Sequence, residues 1–213
     1  MTDPVSVSPM RKWARTRSFG GIGRDLTNPA VWQTLLLGLV VVAVSFVSIA
    51  IAPGAIGFLG AGLALVTIAI AVIDWRSFVI PNWLNAAGLC LAFIHAAAHE
   101  PDAVLWAVAT AAIRGAALAL VFLALRSAYS RFRGRQGLGL GDVKLAAVAG
   151  AWLDWLVIPI AIEIAAVAAL SGYVLRQVVT GRSICATNKV PFGFFFAPSI
   201  WICWVIETIW LAL

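Results

Sequence analysis

The sequence predicts an all-α polytopic membrane protein of about seven transmembrane helices, with its N-terminus in the cytoplasm and its C-terminus outside. Three observations carry this. The 213 residues are 62% hydrophobic and 11% charged, against roughly 45–50% apolar residues in an ordinary soluble domain. Mean hydropathy is +0.99. The charges fall in bursts between apolar runs of a length that crosses ~30 Å of hydrocarbon, leaving too few polar residues between 31 and 213 to cover a soluble core.

Two segments are expected: a basic leader over 1–30 and a transmembrane domain over 31–213. The leader carries Arg11, Lys12, Arg15, Arg17 and Arg24 among Ser, Thr, Gly and Pro with no apolar period, which predicts a disordered or interfacial cytoplasmic arm. No cleavable signal peptide is visible, because the N-terminus is polar and the apolar run after it is of spanning length. Val31 to Ala52 is uncharged and predicts a first span, and Pro53-Gly54 turns the chain. Ala55 to Ile73 returns and delivers Asp74 to the same side as the N-terminus. Pro81 is the expected first-turn proline of a third helix reaching His99. After the acidic turn Glu100-Pro101-Asp102, Ala103 to Leu125 crosses back with Arg114 at its middle. A basic loop containing Arg126, Arg131, Arg133 and Arg135 is expected next.

The fifth element is awkward. It runs apolar from Leu145 to Leu153, meets Asp154, and resumes from Trp155 to Leu175 with Glu163 inside. Counting Lys and Arg decides its status, because these residues favour cytoplasmic loops. If Val143 to about Ile158 spans, every Lys and Arg except Arg114 lies on the cytoplasmic side. If it does not, Arg176, Arg182 and Lys189 lie outside. The segment is therefore read as a short span of ~16 residues and ~24 Å, and Val190 to Leu213 as the last one. Tryptophans near span ends, such as Trp32, Trp83, Trp106 and Trp210, fit interfacial belts.

The formal net charge of +6 does not indicate nucleic acid, because the basic residues are dispersed and no nucleic-acid motif accompanies them. Cys90, Cys185 and Cys203 form no CxxC pair, which argues against a thiolate zinc site and against a disulfide framework. His95 and His99 stand four apart on one helix face, but two ligands near the outer end are a fortuitous spacing. No metal and no cofactor is expected.

The chemistry centres on Gly137-Leu138-Gly139-Leu140-Gly141-Asp142-Val143-Lys144-Leu145. Alternate glycines cost roughly 1 kcal/mol each inside a helix, so they predict a sharp turn or a close approach of another chain. Asp142 follows that turn and would cap a helix; a short span would recess it below the cytoplasmic surface, where irregular backbone is tolerated if it lines a watery cavity. Asp74 and Asp142 then stand at the cytoplasmic ends of two helices. Two carboxylates near contact cannot both ionise easily, so one holds a proton while the other stays charged. Such a pair can deprotonate water and protonate a peptide carbonyl or its leaving amine. The bland alternative is two salt bridges, Asp74 with Arg76 and Asp142 with Lys144.

Gly139-Leu140-Gly141-Asp142-Val143-Lys144-Leu145 resembles the GxGDxKL signature of type IV prepilin peptidases, which are GxGD intramembrane aspartyl proteases. Asp74 followed by Ile80-Pro81 and Leu84 resembles the family's other motif, and Val190-Pro191-Phe192-Gly193 its late Pro-Phe-Gly element. The resemblance implies that residues 31–213 form a peptidase domain in the bacterial inner membrane with its site facing the cytoplasm. It implies Asp74 and Asp142 as the catalytic dyad, with Gly139, Gly141, Lys144, Pro81, Pro191 and Gly193 in supporting or substrate-binding roles. The partners implied are a prepilin or pseudopilin substrate and the lipid bilayer, and oligomeric state is left open, as is an archaeal preflagellin substrate. Larger members carry a cytoplasmic insertion with two CxxC pairs and an N-methyltransferase activity; the chain resembles the short, peptidase-only form. The rival classes are a proton-coupled transporter, which lacks support because no inverted repeat is evident, and a noncatalytic membrane subunit that binds pilin helices. Arg114 needs an acidic partner, for which Glu163 and Glu207 are the acids inside other apolar stretches.

Overall fold

The computed structural model describes residues 29–134, 137–181 and 191–211. The leader through residue 28, and Arg135, Arg182, Cys185 and Lys189, lie outside the described residues. Among the described residues there are seven α-helices: α1 (Pro29–Ile51), α2 (Ala55–Ser77), α3 (Asn82–His99), α4 (Val104–Arg133), α5 (Leu140–Trp152), α6 (Ile158–Thr180) and α7 (Phe192–Leu211). A single 3₁₀ turn, Pro101–Ala103, joins α3 to α4. Five of the helical stretches are long and apolar enough to cross a membrane. The chain divides into two compact units, residues 1–40 and residues 41–213. The second holds the end of α1 and all of α2 to α7, and with them the core.

This is an integral membrane protein, and its packing is inverted relative to a soluble one. Leu105, Ile113, Leu120 and Leu156 are exposed on the surface of the bundle, where only lipid can solvate them. The polar residues that are buried are few and placed near helix ends, as with Asp74 and Asp142, or bonded inside a helix, as with Thr67 to the Ala64 carbonyl.

The centre of the bundle is α5. It has only 13 residues, of which Val143, Leu145, Ala146, Val148, Ala149, Gly150, Ala151 and Trp152 are buried along with Asp142. A helix apolar on all sides belongs in the interior, and the run of Ala and Gly lets its neighbours come close. Against α4 the approach is backbone to backbone: a Cβ added to Gly150 would fall 2.6 Å from the Arg114 carbonyl oxygen, and one added to Gly115 2.8 Å from that of Ala147. Against α3, Val148 fills the groove left by Gly88. α2 and α7 close the other side, with the Trp204 indole lying where a Gly60 side chain would stand. Ser48, near the end of α1, accepts a hydrogen bond from Trp201 Nε1 at 3.0 Å.

Three expectations need correction. Pro81 is not the first helical residue; its ψ of 136° is extended and it stands as the N-cap of α3, with the helix starting at Asn82. Its ring sets the direction of entry, but an extended ψ cannot begin a helix. The basic segment after Leu125 is not a loop. α4 continues for 30 residues to Arg133 and stops at Gly134, whose φ of 64° lies in the left-handed region. Arg126, Ser127, Ala128, Tyr129 and Arg131 are helix-compatible, so the helix ends at a glycine instead of at the polarity boundary. Likewise Arg176 lies on α6 and not in a loop. The turn before Pro81 is tight: α2 is terminated by Phe78 at φ 54°, with its N–H on the Asp74 carbonyl at 2.9 Å.

The contact between α4 and α5 can be tested by adding one methyl group. Gly150→Ala should lower stability in detergent by about 1–3 kcal/mol, because a backbone carbonyl cannot move aside. Gly62→Ala, whose new Cβ would meet only Leu91 methyls at 3.4 Å, should be neutral or slightly stabilising. Thermal melts of the two variants side by side check this.

Candidate functional site

Asp74 stands in the last turn of α2 and Asp142 in the first turn of α5; they are 5% and 9% exposed. Each is held by the N-terminus of a helix. Asp74 Oδ2 accepts the Phe194 N–H at 2.9 Å, and the Gly193 N–H also reaches this carboxylate. These are the otherwise unpartnered first N–H groups of α7, and a carboxylate is favoured there by the helix dipole. Asp142 Oδ2 accepts the Gly139 N–H at 3.1 Å. Asp142 is therefore not the N-cap residue; it is the third residue of α5 and reaches back to the N-cap, the acidic half of a capping box.

Ile80 brings the pieces together. A Cβ on Gly141 would stand 3.0 Å from Ile80 Cβ, and a Cβ on Gly193 would stand 2.7 Å from Ile80 Cδ1 and 3.0 Å from Asp74 Oδ2. Both glycines thus leave room for the same side chain. That side chain precedes Pro81, whose extended backbone turns it inward from the α2–α3 connection. The Asp74 and Asp142 carboxylates lie within electrostatic reach of each other at this level. Gly139 also has its place, since a Cβ there would crowd Asp142 Oδ2 at 3.2 Å. Pro191 immediately precedes α7 and is half-buried.

The salt-bridge alternative predicts other partners from those present. Lys144 Nζ donates to Asn82 Oδ1 at 2.6 Å, tying the start of α5 to the start of α3, and the Asp74 carboxylate is engaged by α7. Arg126 Nη1 donates to the Leu138 carbonyl, so the long α4 reaches the glycine turn and braces it. Sequence reasoning missed Ile80 as a packing element, and also Asn82, Arg126 and Phe194. For Asn82 the sole signal was its place beside the Ile-Pro motif, and for Arg126 its position one span earlier gave none.

The other ionisable groups collect at the far end of the same helices. Arg114 pairs with Asp154 at 3.8 Å and donates through Nε to the Gly150 carbonyl at 3.3 Å. The expected partners Glu163 and Glu207 are not its ion pair; the short α5 ends early enough to bring Asp154 to it. His95 Nε2 accepts the Trp204 indole N–H at 3.3 Å. Among the described residues no group of three or more His, Cys, Asp or Glu side chains is arranged to hold a metal ion.

Comparison with known proteins adds a family. A model described as the type IV leader peptidase family matches residues 61–174. That span contains Asp74, Ile80, Asn82 and the glycine turn through Lys144, and stops before Pro191 and Gly193. The chain is 31% identical over 172 residues to a prepilin leader peptidase/N-methyltransferase of Aeromonas hydrophila, covering 79% of this chain and 55% of that protein. It is 32% identical over 145 residues to the protein of the same name from Burkholderia pseudomallei (strain K96243), covering 64% of this chain and 42% of that one. It is also 32% identical over 133 residues to leader peptidase HopD of Salmonella typhimurium, covering 60% of this chain and 79% of that protein. The chain thus spans about half the length of the peptidase/N-methyltransferases it matches. No solved structure matches it.

The capping role of Asp142 can be separated from any other role it has. Asn keeps an oxygen for the Gly139 N–H, so Asp142→Asn should melt close to wild type. Asp142→Ala removes the acceptor and should cost about 1 kcal/mol. Thermal unfolding of both variants in the same detergent checks the difference.

Proposed function

Because the chain belongs to the type IV leader peptidase family, we propose that it is an intramembrane aspartyl endopeptidase that removes the leader peptide of prepilin or pseudopilin subunits. The carrying observation is that two buried aspartates from different helices are held at helix N-termini around one side chain, within electrostatic reach of each other. Asp74 and Asp142 are the catalytic pair in this proposal. One carboxylate, ionised, takes a proton from water as the water oxygen adds to the scissile carbonyl carbon. The other, protonated, gives its proton to the carbonyl oxygen. In the tetrahedral gem-diol that results, the leaving nitrogen takes the proton from the first aspartate. A hydroxyl of the gem-diol returns its proton to the second, and the C–N bond breaks. The pair ends as it began.

The supporting residues have stated tasks. Gly193 and Phe194 orient Asp74 through α7, while Gly139 orients Asp142. Gly141 leaves room for Ile80, Pro81 directs Ile80 inward, and Lys144 holds α5 to α3 through Asn82. Pro191 sets the start of α7, so its effect on the site passes through Asp74. The preference of Lys and Arg for cytoplasmic segments supports a site at the cytoplasmic face of the bacterial inner membrane. Leader cleavage is the step assigned; the chain's three cysteines form no CxxC pair, and no methyl transfer is proposed. The transporter reading is weaker because the two acids sit at helix ends and not at the middle of the bundle.

The test is cleavage of a prepilin by the detergent-purified protein. Asp74→Asn, Asp142→Asn and the double variant should each lose at least about 10³-fold in rate, the double no more than either single, because residues that act as one unit are not additive. Wild-type activity should survive EDTA. A folded single variant that still cleaves at more than a few per cent of wild type would return both aspartates to helix capping.

A further inference from the structure

A polar cavity lies at the opposite end of the bundle from Asp74 and Asp142. Its volume is about 440 Å³, between the ends of α3 and α5, the start of α2, the first third of α4 and the later turns of α7, a size within the usual range for small-molecule sites of about 300–1,000 Å³. Trp152, which lines it, is ten residues and about 15 Å along α5 from Asp142. The cavity is therefore separate from the aspartate pair. It exists because α5 stops after 13 residues, short of the ~30 Å of hydrocarbon its neighbours cross.

Its lining has a definite chemistry. Three carboxylates, Glu100, Asp154 and Glu207, line it together with one guanidinium, Arg114, and the imidazoles of His95 and His99. Arg114 is already paired with Asp154 and bonded to the Gly150 carbonyl. His95 Nε2 is an acceptor for the Trp204 indole N–H and so carries no proton. The formal balance is negative, which favours a ligand that carries a cationic group. Two aromatic planes, Trp152 and Trp204, stand beside the carboxylates with their rings 6.5 Å apart and edge to face. Acidic oxygens among aromatic side chains are the chemistry that recognises an organic ammonium. Two buried polar atoms here have no protein partner: Glu207 Oε2 and Trp152 Nε1, the latter on a side chain 3% exposed. Each is costly to leave unanswered. One requires a donor and the other an acceptor.

We propose that this cavity binds a primary ammonium joined to an acceptor oxygen, the chemistry of a phosphoethanolamine group. The ammonium donates to Glu207 Oε2, and a phosphate oxygen accepts the Trp152 N–H. Such a group reaches the site as the head of an ethanolamine phospholipid or as a soluble phosphoamine. Divalent cations are a poorer match, because among the described residues no three metal-type ligands converge.

The test is thermal unfolding of the full chain in nanodiscs. Phosphatidylcholine discs form the baseline, and three arms add phosphatidylethanolamine, phosphatidylglycerol, or soluble O-phosphoethanolamine. Phosphatidylethanolamine should raise Tm by at least about 2 °C over both other lipids, since a ligand that binds only the folded state stabilises it. The rise should vanish in Glu207→Gln and shrink in Trp152→Phe, and persist in Glu163→Gln, an exposed acid on α6 outside the cavity. If Glu207→Gln does not fold, Trp152→Phe carries the test. An equal rise with soluble O-phosphoethanolamine identifies a soluble ligand of the same chemistry. No rise with either, or an undiminished rise in both Glu207→Gln and Trp152→Phe, overturns the proposal.

Discussion

The structure depends on one close packing, that of a 13-residue helix, α5, against the middle of α4. At Gly150 and Gly115 the two backbones come so near that a Cβ on either glycine would overlap a carbonyl oxygen of the other helix, and nine of the 13 residues of α5 are buried. Because α5 is about 20 Å long, it cannot reach both faces of a bilayer whose hydrocarbon is about 30 Å thick. Each of its ends therefore lies where other helices continue. At one end the chain enters through a glycine turn and places Asp142. At the other it leaves through Asp154, which meets Arg114. Both polar regions of an otherwise apolar bundle are consequences of the same short helix.

A membrane interior is a poor place for a carboxylate, and the way each aspartate is kept there is informative. Asp74 and Asp142 accept backbone N–H groups at the first turns of α7 and α5. These donors have no partner inside their own helices. The aspartates are structural in that sense, as the capping interpretation holds, but capping and chemistry do not compete. A cap fixes the position of one carboxylate oxygen, and a fixed carboxylate is what acid–base catalysis needs. Ile80, packed against both Gly141 and Gly193, is the contact through which the two caps meet. It carries no chemistry itself.

Much of this was legible in the chain. Apolar runs predicted the helices, charge bursts their order, and the alternate glycines around residue 139 a special turn. Asp74 and Asp142 were candidates because each ends or begins an apolar run and because the residues around them resemble the prepilin peptidase motifs. The course of the chain after Leu125 was not legible, because a polarity boundary marks where lipid ends and not where a helix ends; α4 goes on to a glycine. The partner of Arg114 was missed for a related reason. An arginine inside a span is expected to pair with an acid inside another apolar stretch, whereas Asp154 reaches Arg114 because α5 stops early. Ile80 and Phe194 could not be found at all from spacing, since their roles arise from contacts between residues 61 to 120 positions apart.

The central claim is that the two carboxylates share the work of one proton-transfer site, one of them charged and the other protonated in the active form. The pH dependence of kcat/KM for prepilin cleavage by the wild-type protein tests this most directly. The account predicts a bell-shaped profile, with activity lost at low pH when both carboxylates are protonated and at high pH when both are ionised. Its two apparent pKa values belong to the pair. A rate that rises or falls through a single ionisation, or that stays flat across the range in which carboxylates titrate, would contradict it.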